Sequence, residues 1–323
     1  MRYSDLTGKK VLFIAPVFYD YHTLIKSKIE SLGASVYFFS EKKDGLLFGV
    51  LNNLNPYFIL LYQRYYYYFL LRKIRKQKFT HFFLIRGYKI PVSFLKELKK
   101  INPDIKMIMY QWDSNKNNPY FSKLKYFNKS YTFDYDDHID NPEIGFLQLF
   151  YTDDVRSVAI KNTDIKYDFF CFSSFTFSRY EAMLTFISYC KAGDFRIKTF
   201  CYIPFTTYFR MKYFNRVALD INLLSFKAMP RPQYINYLDA SDIVVDLNHS
   251  TQSGLSMRII ETYGAGKKIF TTNKSILKNP IYSSEWVQLL DIDNIKTPIY
   301  SLKKDSNLKQ DLYIDNWINI LFS

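Results

Sequence analysis

The chain has 323 residues, 48% of them hydrophobic, and carries 44 Lys and Arg against 30 Asp and Glu. That length holds two domains of ordinary size, and that apolar content excludes a globally disordered chain. The formal net charge of +14 calls for an anionic partner: a phosphate-bearing substrate, a membrane surface or nucleic acid.

Taken in chain order, "KKVLFIAP" reads as a buried strand bounded by Pro16, and as a first strand rather than a signal peptide. "YHTLIKSKIESLG" has helical spacing through Leu24, Ile25, Ile29 and Leu32 and stops at Gly33; "ASVYFFS" is a second strand. A long helical stretch runs from about Pro56 to Gln77. The alternation then resumes with strand "THFFLIR", helix "PVSFLKELKKINP", strand "IKMIMYQWDS", helix "PYFSKLKYFN" and strands "KSYTFD" and "GFLQLFY". Thr152 to Lys166 is polar and charged and marks a domain boundary. The second half repeats the alternation: "YDFFCFSS", "SRYEAMLTFISYCKAG", "FRIKTFCYI", "PRPQYINYLDAS", "DIVVDLN", "LSMRIIETYGAG" and "KKIFTTN", with a terminal amphipathic helix in "LYIDNWINILF". Strand–helix alternation predicts an α/β chain with parallel sheets covered by helices on both faces. The expected division is 1–160, 161–310 and a C-terminal helix in 311–323 that packs back on the first domain.

Several classes fall away. No uninterrupted apolar segment is long enough to span a bilayer. Cys171, Cys190 and Cys201 lie on apolar patterns without a CxxC spacing, which suits a reducing cytoplasm, and the four histidines are scattered, which argues against zinc. Three acidic strings resemble a metal-binding DxD: Asp134 with Asp136, Asp242 with Asp246 at the wrong spacing, and Asp291 with Asp293. Short acidic strings recur by chance in a chain with 30 acids. The expectation is therefore no essential metal.

In an open parallel sheet ligands bind beyond the carboxyl ends of the strands. "DIVVDLN" ends at Asn248, and the loop "HSTQSG" leads into a helix whose start offers unpaired N–H groups and the positive end of its dipole to an anion. Gly254 permits close backbone approach, and Ser253 and Ser256 add hydroxyls. Arg258 and Glu261 stand three apart on that helix: a phosphate clamp and a ribose acceptor on one reading, a plain helix salt bridge on the other.

The stretch "DIVVDLNHSTQSGLSMRIIETYGAGKKIFTTN" resembles the donor-site segment of GT-B glycosyltransferases. It is most similar to bacterial lipopolysaccharide and capsular polysaccharide transferases with a "GLSMRxxEtlaxGKKlitTN" pattern. The resemblance implies two Rossmann-like domains facing a cleft, with a nucleotide-sugar as co-substrate and no other cofactor. It implies Ser253 and Gly254 at the phosphate, Arg258 at phosphate or sugar, and Glu261 at the ribose, with Leu255 in the donor-binding set. Arg231 in the preceding helix and Thr272 at the next strand end join the donor-binding set. "FDYDDHIDNPEIGFLQLFY" and "IDNWINILF" are similar to the end of the first domain and the C-terminal helix of such enzymes. Many retaining members carry paired glutamates; here position 253, eight before Glu261, is serine, so retaining and inverting chemistry both stay open.

Glycosyl transfer also needs a base for the acceptor hydroxyl. Asp20 and His22 follow the first strand, and Asp113 follows a later one beside Trp112, a surface on which a sugar can stack. Asp113 is preferred; a cap or turn role is the plain alternative for both aspartates. Residues 57–78 interleave aromatics with Arg64, Arg72, Lys73, Arg75, Lys76 and Lys78, which suits an anionic bilayer interface, or else a core helix with a solvated basic end. Together these give a cytoplasmic enzyme, peripheral at the inner membrane face, that moves a sugar from a nucleotide-sugar to a lipid-linked or polysaccharide acceptor. A non-catalytic GT-B-like scaffold is one alternative. A single-stranded nucleic-acid binder is another, disfavoured because no RRM, KH or helix-turn-helix pattern appears.

Overall fold

In a computed structural model of the chain, residues 5–42, 56–160, 164–248, 253–296 and 310–323 are described. The chain divides into two compact units, one formed by residues 1–148 with 314–323 and the other by 149–313. No helix among the described residues is long and apolar enough to cross a membrane.

Unit 1 holds a six-stranded, all-parallel sheet of β1 (Lys10–Ala15), β2 (Ser35–Ser40), β3 (His81–Ile85), β4 (Lys106–Gln111), β5 (Lys129–Thr132) and β6 (Gly145–Phe146), in the order β2-β1-β3-β4-β5-β6. Its helices are α1 (Tyr21–Ser31), α2 (Pro56–Ile74), α3 (Val92–Ile101) and α4 (Tyr135–Asp140). The central strands bury every residue of "HFFLI", because a parallel sheet covered on both faces has no wet side. One face packs Leu12, Phe82, Leu84, Met107 and Met109 against Tyr67, Leu70 and Ile74 of α2 and Phe94, Leu95 and Leu98 of α3. The segment "PYFSKLKYFN", expected as a helix, forms only a 3-10 turn over Phe121–Tyr126.

Unit 2 repeats the plan with β7 (Tyr167–Ser174), β8 (Ile197–Tyr202), β9 (Leu224–Ser225), β10 (Ser241–Asp246), β11 (Lys268–Thr271) and β12 (Val287–Leu289), again all parallel, in the order β12-β11-β10-β7-β8-β9. Its helices are α5 (Asp153–Ile160), α6 (Phe177–Ala192), α7 (Phe205–Phe209), α8 (Arg231–Asp239) and α9 (Met257–Gly264). Phe169, Phe186, Val245 and Phe270 centre its core. The three cysteines are buried free thiols, and burial pushes those of Cys171 and Cys190 up to about 12.

The polar run after Thr152 suggests a seam at residue 160; the second unit instead begins at Leu149. Two contacts account for this. Thr152 and Asp154 bond Arg231 of α8, and Tyr151 lies so close to α9 that a Cβ at Gly264 would sit 2.3 Å from its ring. The chain returns to unit 1 with α10 (Ile314–Phe322), whose Trp317 and Phe322 pack on Phe83 and whose Asp315 pairs with Lys28 of α1 at 2.5 Å.

Candidate functional site

The ligand crevice of an open parallel sheet opens where the strand order reverses. In unit 2 the chain steps from β7 to β8 and β9 on one side, then places β10 on the other side of β7, so the reversal falls between β7 and β10. Three charged side chains meet there. Asp246 ends β10 fully buried; its Oδ1 accepts from Arg258 Nη1 at 2.6 Å and Ser256 Oγ at 3.0 Å, and its Oδ2 from Thr271 Oγ1 at 2.8 Å. The Arg258 guanidinium also lies 4.4 Å over the Phe172 ring, a cation–π contact, while its buried Nε has no hydrogen-bond partner among the described residues. Arg179, on the first turn of α6, donates its Nε to Leu247 O at 2.9 Å. Burial and the neighbouring Arg258 push the Arg179 pKa down to about 10, so it stays cationic at neutral pH. Arg258 thus pairs with Asp246, while Arg179 bonds only backbone among the described residues and feels the charges of both, which sets two guanidinium groups and one carboxylate beside the starts of α6 and α9. The sequence reading passed over Arg179, whose signal was its place three residues after the helix cap Thr176. It also weighed Asp246 only for DxD spacing, which hides a residue that works singly.

Glu261 sits one turn further along α9 and belongs to a second network. Arg231 begins α8 and forks Nε and Nη2 onto Asp154 at 2.8 and 3.0 Å; Nη2 also reaches Thr152 Oγ1 at 2.7 Å, and Nη1 donates to Glu261 Oε1 at 2.7 Å. The Arg231 side chain is 9% exposed and that of Glu261 2%. Burial alone would raise the Asp154 carboxyl, but the hydrogen bonds and charge of Arg231 outweigh it and hold the pKa below the usual value. The Glu261 carboxylate is held through Oε1 by Arg231. Arg258 and Glu261, neighbours on one helix, are thus not bonded to each other; each faces its own partner.

The remaining donor-site expectations fall around the start of α9. His249 to Gln252 lie outside the described residues. Ser256 caps the helix, accepting from Ile259 N at 3.4 Å. Gly254 offers its carbonyl to Asn273 Nδ2 at 3.2 Å, beside Ser253. Leu255 is fully buried, so what it presents to a ligand is backbone. Thr272 Oγ1 accepts from Asn248 N at 2.8 Å and ties the ends of β10 and β11 together.

In unit 1 the reversal falls between β1 and β3. Backbone strain gathers at this edge: Tyr19 and Asp20 beyond β1 and Arg86 and Lys89 beyond β3 all have positive φ, between 43° and 62°. Asp20 is exposed and occupies the N-cap position of α1 without capping it. His22 is half-buried, with its ring 4.9 Å from that of Phe38; burial lowers its pKa against the pull of Asp20. Asp113, beyond β4, accepts from Asn117 Nδ2 at 3.1 Å. Its neighbour Trp112 stands within 6.4 Å of Phe18 and 6.2 Å of Tyr21, so aromatics from the β1 and β4 ends converge. All three base candidates therefore reach one edge of one sheet. Sequence reasoning missed the fixed centre of that edge. Fully buried Glu41 accepts from Arg86 Nε at 3.2 Å, from Arg86 Nη2 and from Tyr88 N at 2.9 Å. Burial acts to lower the Arg86 pKa, and the hydrogen bond and charge of Glu41 together with Asp113 and Tyr88 reverse it, leaving the pKa raised.

The acidic strings are used locally. Asp134 caps α4 and Asp291 accepts from Asp293 N at 3.2 Å; Asp242 pairs with Lys268 at 3.2 Å. Among the described residues no group of three or more His, Cys, Asp or Glu is placed to hold a metal.

On α2 the buried side holds Ile59, Gln63, Tyr67, Leu70 and Ile74, while Tyr57, Phe58, Leu61, Tyr65, Tyr68 and Phe69 are exposed together with Arg64, Arg72 and Lys73.

No family model matches the chain, and no curated protein matches it. Solved structures do. An alpha-glucosyltransferase in complex with UDP and a 13-mer DNA superposes with a TM-score of 0.57 at 11% identity, covering 88% of this chain and 87% of that one. The UDP-GlcNAc 2-epimerase of Methanocaldococcus jannaschii, in complex with UDP-GlcNAc and UDP, gives 0.55 at 11% identity over 97% and 99%. A glycosyltransferase from Rickettsia africae gives 0.50 at 13% identity over 98% and 89%. At such identities the likeness is one of fold: this chain has the two Rossmann-like domains, each a parallel six-stranded sheet with helices, of the GT-B glycosyltransferases.

Proposed function

We propose that the chain is a glycosyltransferase that takes a sugar from a nucleotide-sugar bound by unit 2 and moves it to a lipid-linked or polysaccharide acceptor. The observation that carries this reading is the pairing at the unit 2 edge of two chemistries. Arg258, paired with Asp246, and Arg179, bonded among the described residues only to the Leu247 carbonyl, set two guanidinium groups against one carboxylate, which suits a phosphate. Glu261, held by Arg231 through Oε1, supplies a carboxylate acceptor, which suits a ribose diol. In the reaction the arginine pair stabilises the phosphate that leaves, in the role a metal plays in other enzymes, so we propose that no metal is needed. Asp113 takes the proton of the acceptor hydroxyl, with Asp20 and His22 as the alternatives on the same edge.

The acceptor reading rests on α2. Its exposed aromatic face and basic end suit the headgroup region of an anionic bilayer, which would hold the enzyme at the cytoplasmic side of a membrane. Cosedimentation with anionic vesicles is expected to fall when Arg64, Arg72, Lys73, Arg75 and Lys76 are changed to Gln, and unchanged binding would remove α2 from this role.

A thermal-shift screen against UDP-, GDP-, dTDP-, ADP- and CMP-sugars tests the donor site directly, since a bound ligand raises apparent stability by mass action. One nucleotide class is expected to stabilise the native chain and to lose its effect in E261A. No shift and no turnover with any donor would make the chain a scaffold. Because a neighbour in fold is a UDP-GlcNAc 2-epimerase, the product of donor alone should be identified before an acceptor is sought.

A further inference from the structure

A second aromatic and basic surface lies in unit 2, in a segment to which the sequence pattern gave no element. Between Asp194 and Asp220 the chain has no acidic residue but carries Arg196, Lys198, Arg210, Lys212 and Arg216. After β8, α7 runs without a break into a π-helical turn over Arg210–Phe214. Tyr208 alone of its aromatics turns inward. Phe205 is 62% exposed, Phe209 46%, Tyr213 59% and Phe214 76%. Phe205, Phe209 and Tyr213 recur every four residues, which sets them along one side of the helical segment. The rings touch one another: Phe209 is 4.7 Å from Tyr213 and 6.2 Å from Phe214, and Phe205 lies 5.6 Å from Phe226. Arg210, Lys212 and Arg216 are exposed beside them, with Lys212 5.5 Å from the Tyr208 ring and 5.6 Å from that of Tyr213.

From these contacts we infer that residues 205–216 form a docking surface of unit 2 for an anionic lipid bilayer, separate from α2. Exposed large aromatics gathered on one helical segment in two contacting groups leave water at a gain only if something apolar receives them. The surrounding cations, with no acid among them, fix the sign of that partner. Rings packed on each other make one apolar surface to insert at the headgroup boundary, whereas single-stranded nucleic acid needs separate ring faces between which successive bases stack. The inference does not depend on glycosyl transfer, because a chain without activity would bind in the same way.

The test uses the full chain with vesicles of phosphatidylcholine, with or without phosphatidylglycerol. In F214W, fluorescence beyond that of the native tryptophans is expected to be quenched by lipids brominated on their acyl chains, and only when phosphatidylglycerol is present. R210Q/K212Q/R216Q is expected to lower partitioning by roughly two orders of magnitude, from the worth of each cation near a charged leaflet. F209S/F214S should weaken binding with the far-UV circular dichroism unchanged, since both residues are exposed. Quenching should persist when α2 is neutralised by R72Q/K73Q/R75Q/K76Q; its loss there would assign the contact to α2 and overturn the inference. So would F214W emission that anionic vesicles leave unaltered, or that single-stranded oligonucleotide changes and vesicles do not.

Discussion

The carboxyl edges of the two sheets are built from the same topology and finished in opposite ways. At the unit 2 edge nearly every charge is spoken for: Asp246 is gripped by Arg258, Ser256 and Thr271, and Arg231 ties α5, α8 and α9 together through Asp154 and Glu261. At the unit 1 edge Glu41 with Arg86 and Asp137 with Tyr120 and Asn115 form such centres, and around them stand residues in left-handed backbone, an uncapping Asp20 and exposed aromatics. The first edge is therefore held by more charge pairs than the second, which carries more strained backbone. Under the proposed function the donor would take the former and the acceptor the latter.

The largest expected effect comes from breaking the unit 2 edge at its centre. Arg231→Ala strands two carboxylates, one of them almost fully buried, and should cost about 3–5 kcal/mol of stability in denaturant unfolding. A cost near zero would mean that Arg231 does not organise this edge. On the unit 1 edge, Asp113→Asn should lower turnover by about 10²–10⁴-fold while nucleotide-sugar affinity stays as in the native chain; full activity moves the base to Asp20 or His22.

Acid should separate the two units. His81, at the start of β3, has its pKa lowered to about 4 by burial and by Lys106 and Lys9. Because the folded value lies below the ordinary 6.5, the unfolded chain takes up the proton first. The stability of unit 1 is therefore intact above pH 6.5 and falls as the pH drops from 6.5 toward 4, by up to ~3 kcal/mol. Asp154 has its folded pKa below the usual carboxylate value, so the stability it lends unit 2 is present above pH 3.8 and is lost only below it. Circular dichroism melts from pH 7 to 4.5 should show unit 1 loosening first, and H81F should flatten that trend; simultaneous loss of both units would sink the distinction. The smallest effect belongs to Glu261→Ala. Arg231 keeps its fork on Asp154, so stability should change by about 1 kcal/mol. Donor binding should weaken by about 1.5–3 kcal/mol through loss of a charged acceptor. Equal damage to folding from E261A and R231A would make Glu261 a purely structural partner.

Much of the architecture was legible along the chain. Apolar runs such as "KVLFIA" and "HFFLI" alternating with helical spacing specify buried parallel strands, because each residue can be assigned from its near neighbours. Short elements escaped: β9, β12 and α7 have too few residues to establish a period. The helix α5 was legible as polar sequence but not as the opening of the second unit, since its allegiance depends on Arg231, 77 positions further along.

The site divides in the same manner. Local pattern along the chain was enough to put Ser253, Gly254, Arg258 and Glu261 at a helix start following a strand end, and Asp20, His22 and Asp113 after strands of the other domain. Which charge meets which followed from the packing of distant elements. That packing gave Arg258 to Asp246, gave Glu261 to Arg231, and added Arg179 and the Glu41–Arg86 pair, which no local spacing announces. Helix and strand periods are set by backbone geometry over a few residues. A buried ion pair is set by which strand ends the topology brings together, and that information lies in the order β12-β11-β10-β7-β8-β9 rather than in any stretch of sequence.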